Sequence, residues 1–263
     1  MRKQEYTFNK NSCYDFNDFC KSFHDFGFPD ISNSASVSQQ FLEFVYNNIK
    51  SDTVTFVNGP RDGVYSIYSG KTLLVKIRDG HLVKLVMPWL SSKDKNAAFL
   101  GSDGMEYVTE ACFQNLEDAG NDFMQHAREA RYVLLPNMKT TGRNFLRYAL
   151  KLEVMDIPSN TKLGDDAFGA CESLKRLHGS NMTTWGNRVL YENNAMQELS
   201  LQSLKKMGNG CLASNTQLIL APYIDKHGNE YPGDICAPCI TRAGEDCIPV
   251  IYKIIAQNRA KHK

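Results

Sequence analysis

Apolar residues and glycines return at a fixed spacing through the middle of the chain. Five glycines stand 22 residues apart, and an apolar residue lies twelve positions before each of them. These glycines are Gly120, Gly142, Gly164, Gly186 and Gly208. Positions 1, 4 and 6 of most units are apolar, as in Leu152, Met155 and Ile157. The spacing predicts one short strand in each unit, and stacked units that bury a continuous core. Bulky pairs such as Phe145-Leu146 predict a short helical or turn segment on the opposite side.

Apolar residues follow other spacings in the part of the chain that precedes these units. Phe16, Phe19, Cys20 and Phe23 share one helical face, and a second helix is predicted over Val37 to Ile49. We interpret the aromatic stripe as core and not as a ligand box. From Asp52 to Pro88, β-branched and aromatic runs alternate with glycine-bearing turns, which predicts an antiparallel β-meander. Residues 91–104, SSKDKNAAFLGSDG, have the composition of a linker.

Residues 152–171, LEVMDIPSNTKLGDDAFGAC, resemble the BspA-like leucine-rich repeats, whose pattern is roughly LxxLxLPxxxxxIGxxAFxxCxx. The resemblance implies a leucine-rich-repeat solenoid, and relatives of this kind are often binding proteins or surface adhesins. The predicted fold class is α+β: N-terminal helices and an antiparallel meander, then a short solenoid of 22-residue units and a divergent C-terminal cap. The predicted domains are 1–104, 105–221 and 222–263, the last being a cap with a basic tail.

Positions 2, 3 and 5 of each strand are expected to point away from the core and to line one face. Aromatic, aliphatic and arginine side chains on this face favour a protein or peptide partner. Glu153, Asp156 and Glu198 would repel phosphates, so nucleic acid is not expected. The alternative is a merely solvated face, or one covered by the N-terminal domain. The candidate partner-binding residues are Arg131, Tyr132, Leu134, Glu153, Val154, Asp156, Lys175, Arg176, His178, Glu198 and Ser200.

Composition excludes several classes of protein. Hydrophobic residues make up 42%, enough for a folded core, and a formal charge of +1 gives no global attraction to nucleic acid or anionic membrane. The polar N-terminal stretch lacks a signal-like apolar run, and no window is long enough to span a membrane. We expect a cytoplasmic protein, or one exported without a cleavable signal, whose eight cysteines are free thiols.

No motif of known catalytic chemistry stands out, so we predict a non-enzymatic protein without a cofactor. Arg61, Asp62, Asp79 and His81 lie in adjacent turns, where a solvated loop is favoured over an acid–base site. Two alternatives remain open. Residues 1–104 could be the enzymatic part of an effector or toxin-like protein, or the repeats could serve a cell-surface adhesin.

The C-terminal segment offers one weak metal motif. Cys236 and Cys239 have CxxC spacing, and His227 and Cys247 could complete a zinc site of three cysteines and one histidine. Ordinary thiols of a capping segment are the favoured interpretation. Glu230 stands where the next glycine would fall, which predicts that something other than a sixth unit ends the array.

Overall fold

The computed structural model describes most of the chain up to residue 215 and parts of the rest. The described residues are 4–9, 15–25, 35–59, 63–90, 105–200, 202–215, 223–224, 230–231, 235–236, 240, 242–247, 251–252, 255–256 and 259–260. The predicted linker at 91–104 lies outside them. So do Arg61, Asp62, His227 and Cys239.

The helices and strands of the described residues begin, in chain order, with a strand and two helices. They are β1 (Gln4–Asn9), α1 (Phe16–Asp25), α2 (Ala35–Asn47), β2 (Thr53–Gly59), β3 (Val64–Ser69), β4 (Thr72–Arg78) and β5 (His81–Val86). Short strands follow: β6 (Glu110–Cys112), β7 (Tyr132–Leu134), β8 (Val154–Asp156), β9 (Lys162–Leu163), β10 (Arg176–His178), β11 (Thr184–Trp185) and β12 (Glu198–Ser200). The last are β13 (Tyr223–Ile224), β14 (Glu230–Tyr231) and β15 (Ile235–Cys236).

A mixed seven-stranded sheet dominates the molecule, in the order β1-β2-β3-β4-β5-β6-β7. The first five strands pair antiparallel in sequence order, and β5, β6 and β7 pair parallel. Phe19 of α1 and Phe41 of α2 are fully buried, and the Phe19 ring lies 5.6 Å from that of Phe56 in β2. The two helices therefore cover one face of the antiparallel part of the sheet.

The predicted fold class is wrong. It placed a leucine-rich-repeat solenoid after a separate meander, but β6 and β7, which lie in the first units, are edge strands of the same sheet as the meander. The meander's last strand, β5, offers a free edge, and parallel pairing with β6 satisfies its backbone groups. A closed solenoid does not form among the described residues. Helical content is small, with α1 and α2 only 10 and 13 residues long.

The units contain no α-helix between residues 105 and 200. The bulky pairs predicted to begin a helical or turn segment lie in turns, where every second residue takes a positive φ. In one unit these residues are Asp166, Phe168 and Ala170, with φ of 57°, 56° and 54°. A right-handed helix needs consecutive negative φ values, so this alternation excludes it. The turn is fixed by bonds to the next unit, such as Asp166 N–H to Asn187 O at 2.8 Å.

Successive units stack in register. A second sheet runs β15-β12-β10-β8, and its parallel strands pair Val154 with Arg176 and Arg176 with Glu198. Side-chain bonds repeat at the same interval, as where Asn187 N–H donates to Asp165 Oδ1 across 22 residues. The column of glycines allows the close approach, because a Cβ on Gly164 would collide with the Gly142 carbonyl.

A sixth unit is present, contrary to the expectation from Glu230. The Glu245 N–H donates to Asn209 Oδ1, which reproduces the side-chain bond at an interval of 36 residues in place of 22. Strand β15 pairs with β12 at the same longer interval. The antiparallel pair β13 and β14 lies within the longer connection. The insertion moves the glycine from position 230 to Gly244, and that shift concealed the unit.

An internal ion pair supplies a stability prediction. Asp166 has a side chain that is 4% exposed and accepts two bonds from Arg188, at 2.8 and 2.6 Å. These bonds, helped by the charge of Arg147, hold the pKa of Asp166 below its ordinary value of 3.8 in spite of burial. A depressed folded-state pKa stabilises the fold above the unfolded pKa, and this contribution is lost as the pH falls through the folded value.

Asp166→Asn is therefore expected to lower the free energy of unfolding by about 2 kcal/mol at pH 7. The difference from wild type should shrink as the pH falls below 3.8. Urea denaturation across this range is the measurement. Asp165→Asn is the matched control, because Asp165 is exposed and an asparagine keeps the oxygen that accepts from Asn187. Equal losses in the two variants, or a loss that does not depend on pH, would contradict the assignment.

Candidate functional site

A groove of about 660 Å³ crosses four parallel strands, β5 to β8. Its volume falls within the range of sites that bind small molecules or peptide side chains. Strands β6, β7 and β8 belong to three consecutive units, so the groove follows the stacking direction. The residues that line it are Lys84, Val86, Glu110, Ala111, Cys112, Arg131, Tyr132, Val133, Leu134, Lys151, Glu153, Val154 and Asp156.

The middle of the groove is apolar and open to solvent. Tyr132 is 71% exposed, Leu134 50% and Val154 39%. They account for three of the six large hydrophobic side chains that are exposed in the described part of the chain. Alternation along the strands places these residues outward, while Met155 between Val154 and Asp156 is buried. A contiguous exposed patch of this kind marks an interaction surface more often than scattered single residues do.

Ion pairs flank the apolar centre. Lys84 Nζ pairs with Glu110 Oε2, and Lys175 Nζ lies 2.9 Å from Glu153 Oε2. The hydrogen bond from Lys175, more than its charge, lowers the pKa of Glu153, and Arg131 adds to the effect. Both bridges are partly exposed and therefore contribute little to stability.

Three further charges of the groove have no ion-pair partner within the described ranges. Arg131, Lys151 and Asp156 are exposed and make no salt bridge there. Arg131 precedes β7 and Lys151 precedes β8, whereas Asp156 ends β8, so the unpaired basic and acidic charges lie toward opposite ends of these strands.

The strand ladder is open between β7 and β8. On either side of this seam, Phe113 N–H donates to Leu134 O and Ile157 N–H donates to His178 O, each at 3.0 Å. In the residues that the structure describes, the equivalent bond from Leu135 N–H to Asp156 O is not formed. Neither is the bond from Glu153 N–H to Arg131 O, although Arg131 and Lys175 make the equivalent bonds in their own units.

The same two units remain joined elsewhere. Phe168 N–H donates to Phe145 O at 2.8 Å, and Thr161 N–H donates to Lys139 O at 2.8 Å. The opening is therefore confined to the strand face. Among the described residues, it leaves backbone donors and acceptors without a partner along the seam between β7 and β8, which is a costly arrangement unless water or a ligand satisfies them.

One thiol, that of Cys112, is present among the described residues that line the groove. Burial raises the pKa of Cys112, while the charge of Lys84 acts in the opposite direction. The side chain is half-buried in β6. Because the thiolate and not the thiol is the reactive form, Cys112 is poorly suited to nucleophilic chemistry at neutral pH.

The structure brings six of the candidate partner-binding residues together in this groove. They are Arg131, Tyr132, Leu134, Glu153, Val154 and Asp156. The other candidates lie farther along the stack and do not line it. Lys175, Arg176 and His178 lie at or in β10, and Glu198 and Ser200 lie in β12. No observation tests their role in binding, which stays a prediction for all eleven.

Sequence reasoning missed half of the lining. Glu110 and Cys112 occupy positions 3 and 5 of the unit that begins at Val108, so the repeat itself could have indicated them. Lys84 and Val86 gave no such signal, because a parallel pairing between the meander and the first unit has no periodic pattern.

The weak zinc motif is described only in part. Cys236 lies in β15, and Cys247 is buried with its thiol donating to the Gly208 carbonyl at 3.2 Å. Cys247 stacks on Cys211 of the preceding unit, whose thiol makes the equivalent bond to Gly186 O at 3.1 Å. The hydrogen bond with the Cys247 thiol, and next to it burial, raise the pKa of the Cys211 thiol. Among the described residues, no group of three or more His, Cys, Asp or Glu side chains could hold a metal ion.

Comparison with known proteins gave no match to any family model, curated protein or solved structure. The resemblance to BspA-like repeats thus stays a prediction from residues 152–171. Within the described ranges, no helix has the length and hydrophobicity needed to cross a bilayer.

Proposed function

We propose that this chain is a non-enzymatic binding module whose groove across β5 to β8 holds a protein or peptide partner. The observation that carries the proposal is the exposed apolar cluster of Tyr132, Leu134 and Val154 at the centre of a concave surface. Interfaces of this class obtain most of their binding energy from a few central aromatic and aliphatic anchors surrounded by polar residues. Lys84, Glu110, Lys151 and Asp156 supply the polar surroundings.

Two features favour a binding role for the groove over a catalytic one. Among the described residues of its lining, Cys112 is the only thiol, and its pKa is raised. The carboxylates of Glu110 and Glu153 are engaged by Lys84 and Lys175, so they do not form the closely spaced carboxylate pair of a general acid–base site. The charges are also balanced, with three lysine or arginine and three acidic side chains in the lining, which does not favour a polyanion.

The proposal is tested by photo-crosslinking in a lysate of the native cells. p-Benzoylphenylalanine placed at Tyr132 is expected to form adducts with a partner protein, because this side chain is the most exposed anchor. The same group at Tyr107, which is 44% exposed but does not line the groove, is the matched control. Mass spectrometry identifies the adducts. The same adducts at both positions, or none at position 132, would refute the proposal.

A further inference from the structure

The open seam and the free charges at its two ends indicate the chemistry of the partner. We propose that the groove binds an extended peptide segment that lies along β7 and β8 and carries an acidic side chain, an apolar side chain and a basic side chain at alternate positions. This inference rests on the proposed function and adds the form and the charge pattern of the ligand.

The extended form follows from the seam. The amide of Glu153 and the carbonyls of Arg131 and Asp156, all in exposed residues, lack the strand bonds that their equivalents make in neighbouring units. These groups follow the line of the seam, on the edges of the β7 and β8 segments that face each other. An extended backbone presents donors and acceptors along such a line, as in recognition by addition of a strand. A helical ligand satisfies its backbone internally and offers no such groups.

The order of charges along the ligand follows from the positions of the unpaired charged residues in the groove. Arg131 and Lys151 precede β7 and β8, whereas Asp156 is the last residue of β8. At about 3.3 Å per residue, the basic end and Asp156 are separated by roughly 10 to 16 Å along the strand direction. Complementary charges on the ligand must therefore be a similar distance apart, with an acidic group near Arg131 and Lys151.

The spacing of the ligand residues follows from strand geometry. Alternate side chains of an extended peptide face the same side, so positions i, i+2 and i+4 span about 13 Å. An apolar side chain at i+2 would then lie over Leu134, Tyr132 and Val154, between the two charged ends. The pattern is acidic-x-apolar-x-basic or its reverse, since the direction of the peptide is set by contacts outside these three.

The test uses a solid-phase library of acetylated, amidated heptapeptides and the full chain as probe. Wild type is expected to recover peptides with an acidic and a basic residue four positions apart and an apolar residue between them. Asp156→Lys should change the recovered pattern to acidic residues at both ends and weaken binding of the wild-type peptides at least tenfold. Glu43→Lys is the matched control, because Glu43 is an exposed carboxylate on α2 and does not line the groove. It should leave the pattern unchanged.

N-methylation of the recovered peptides tests the contribution of the seam. Methyl groups on the amides that face β7 and β8 should weaken binding at least tenfold, while methylation of the alternate amides should have little effect. Equal effects from both sets would overturn the extended pairing.

The remaining outcomes distinguish a failure of this inference from a failure of the proposed function. Peptides recovered without a charge pattern, or a pattern that Asp156→Lys leaves unchanged, would overturn the inference while peptide binding stands. Failure to recover any peptide, with a folded partner still crosslinked at position 132, would overturn the inference while the proposed binding function stands. A concentration-dependent dimer that Tyr132→Ser abolishes would show that a second copy fills the groove and would also overturn it. Loss of both crosslinking and peptide binding removes the proposed function as well.

Discussion

Phe145→Ala is expected to lower the free energy of unfolding by about 4 kcal/mol, the largest effect on stability that we predict. Phe145 is fully buried, and its ring lies 5.4 Å from Phe123 and 5.3 Å from Phe168 in the adjacent units. The substitution removes the buried ring, leaves a cavity between units and breaks two aromatic contacts at once. Urea denaturation monitored by circular dichroism is the measurement.

Phe16→Ala is the control for this prediction. Phe16 is only partly buried at the start of α1, and its ring lies 5.6 Å from Tyr46. Its loss is expected to cost about 1 kcal/mol, because much of the removed surface was already in contact with water. If Phe145→Ala cost no more than Phe16→Ala, the stacked aromatic rings would not be the main support of the repeat core.

The spacing of apolar residues predicted the orientation of side chains well within the best-formed unit. Leu152, Met155 and Ile157 are buried, and Val154 and Asp156 are exposed, as the strand pattern required. This succeeded because each inward position must be apolar if stacked units are to bury a common core. The same logic located six residues of the groove.

Three features of the fold left no comparable signal. The pairing of β5 with β6 joins a meander to a repeat, and nothing periodic marks such a junction. The turns with alternating positive φ hold ordinary residues such as Leu146 and Phe168, where a glycine would have indicated the conformation. The sixth unit was hidden because an insertion displaced its glycine to Gly244.

The open seam could not have been predicted either. The units that contain β7 and β8 have the same length as their neighbours, and their glycines keep the same spacing. The difference lies in backbone hydrogen bonds that are absent on one face and present on the others. Sequence patterns report which side chains are buried, but they carry little information on whether two exposed strand edges meet.

The second large effect is expected on binding. Tyr132→Ser combined with Leu134→Ser should weaken binding of the crosslinked partner about 100-fold, since central anchors of an interface each contribute on the order of 2 kcal/mol and their effects need not add. Both side chains are exposed, so their replacement should leave the melting temperature nearly unchanged. Arg176→Ala combined with His178→Ala shows whether the interface extends to β10.

The affinity of the purified partner for the Tyr132→Ser/Leu134→Ser variant, measured by titration calorimetry beside wild type and Tyr107→Ser, tests the central claim most directly. If the groove is the binding site, the affinity for the partner falls about 100-fold in the double variant and does not change significantly for Tyr107→Ser. An unchanged affinity in a fully folded double variant would contradict the claim that the groove across β5 to β8 is the binding site.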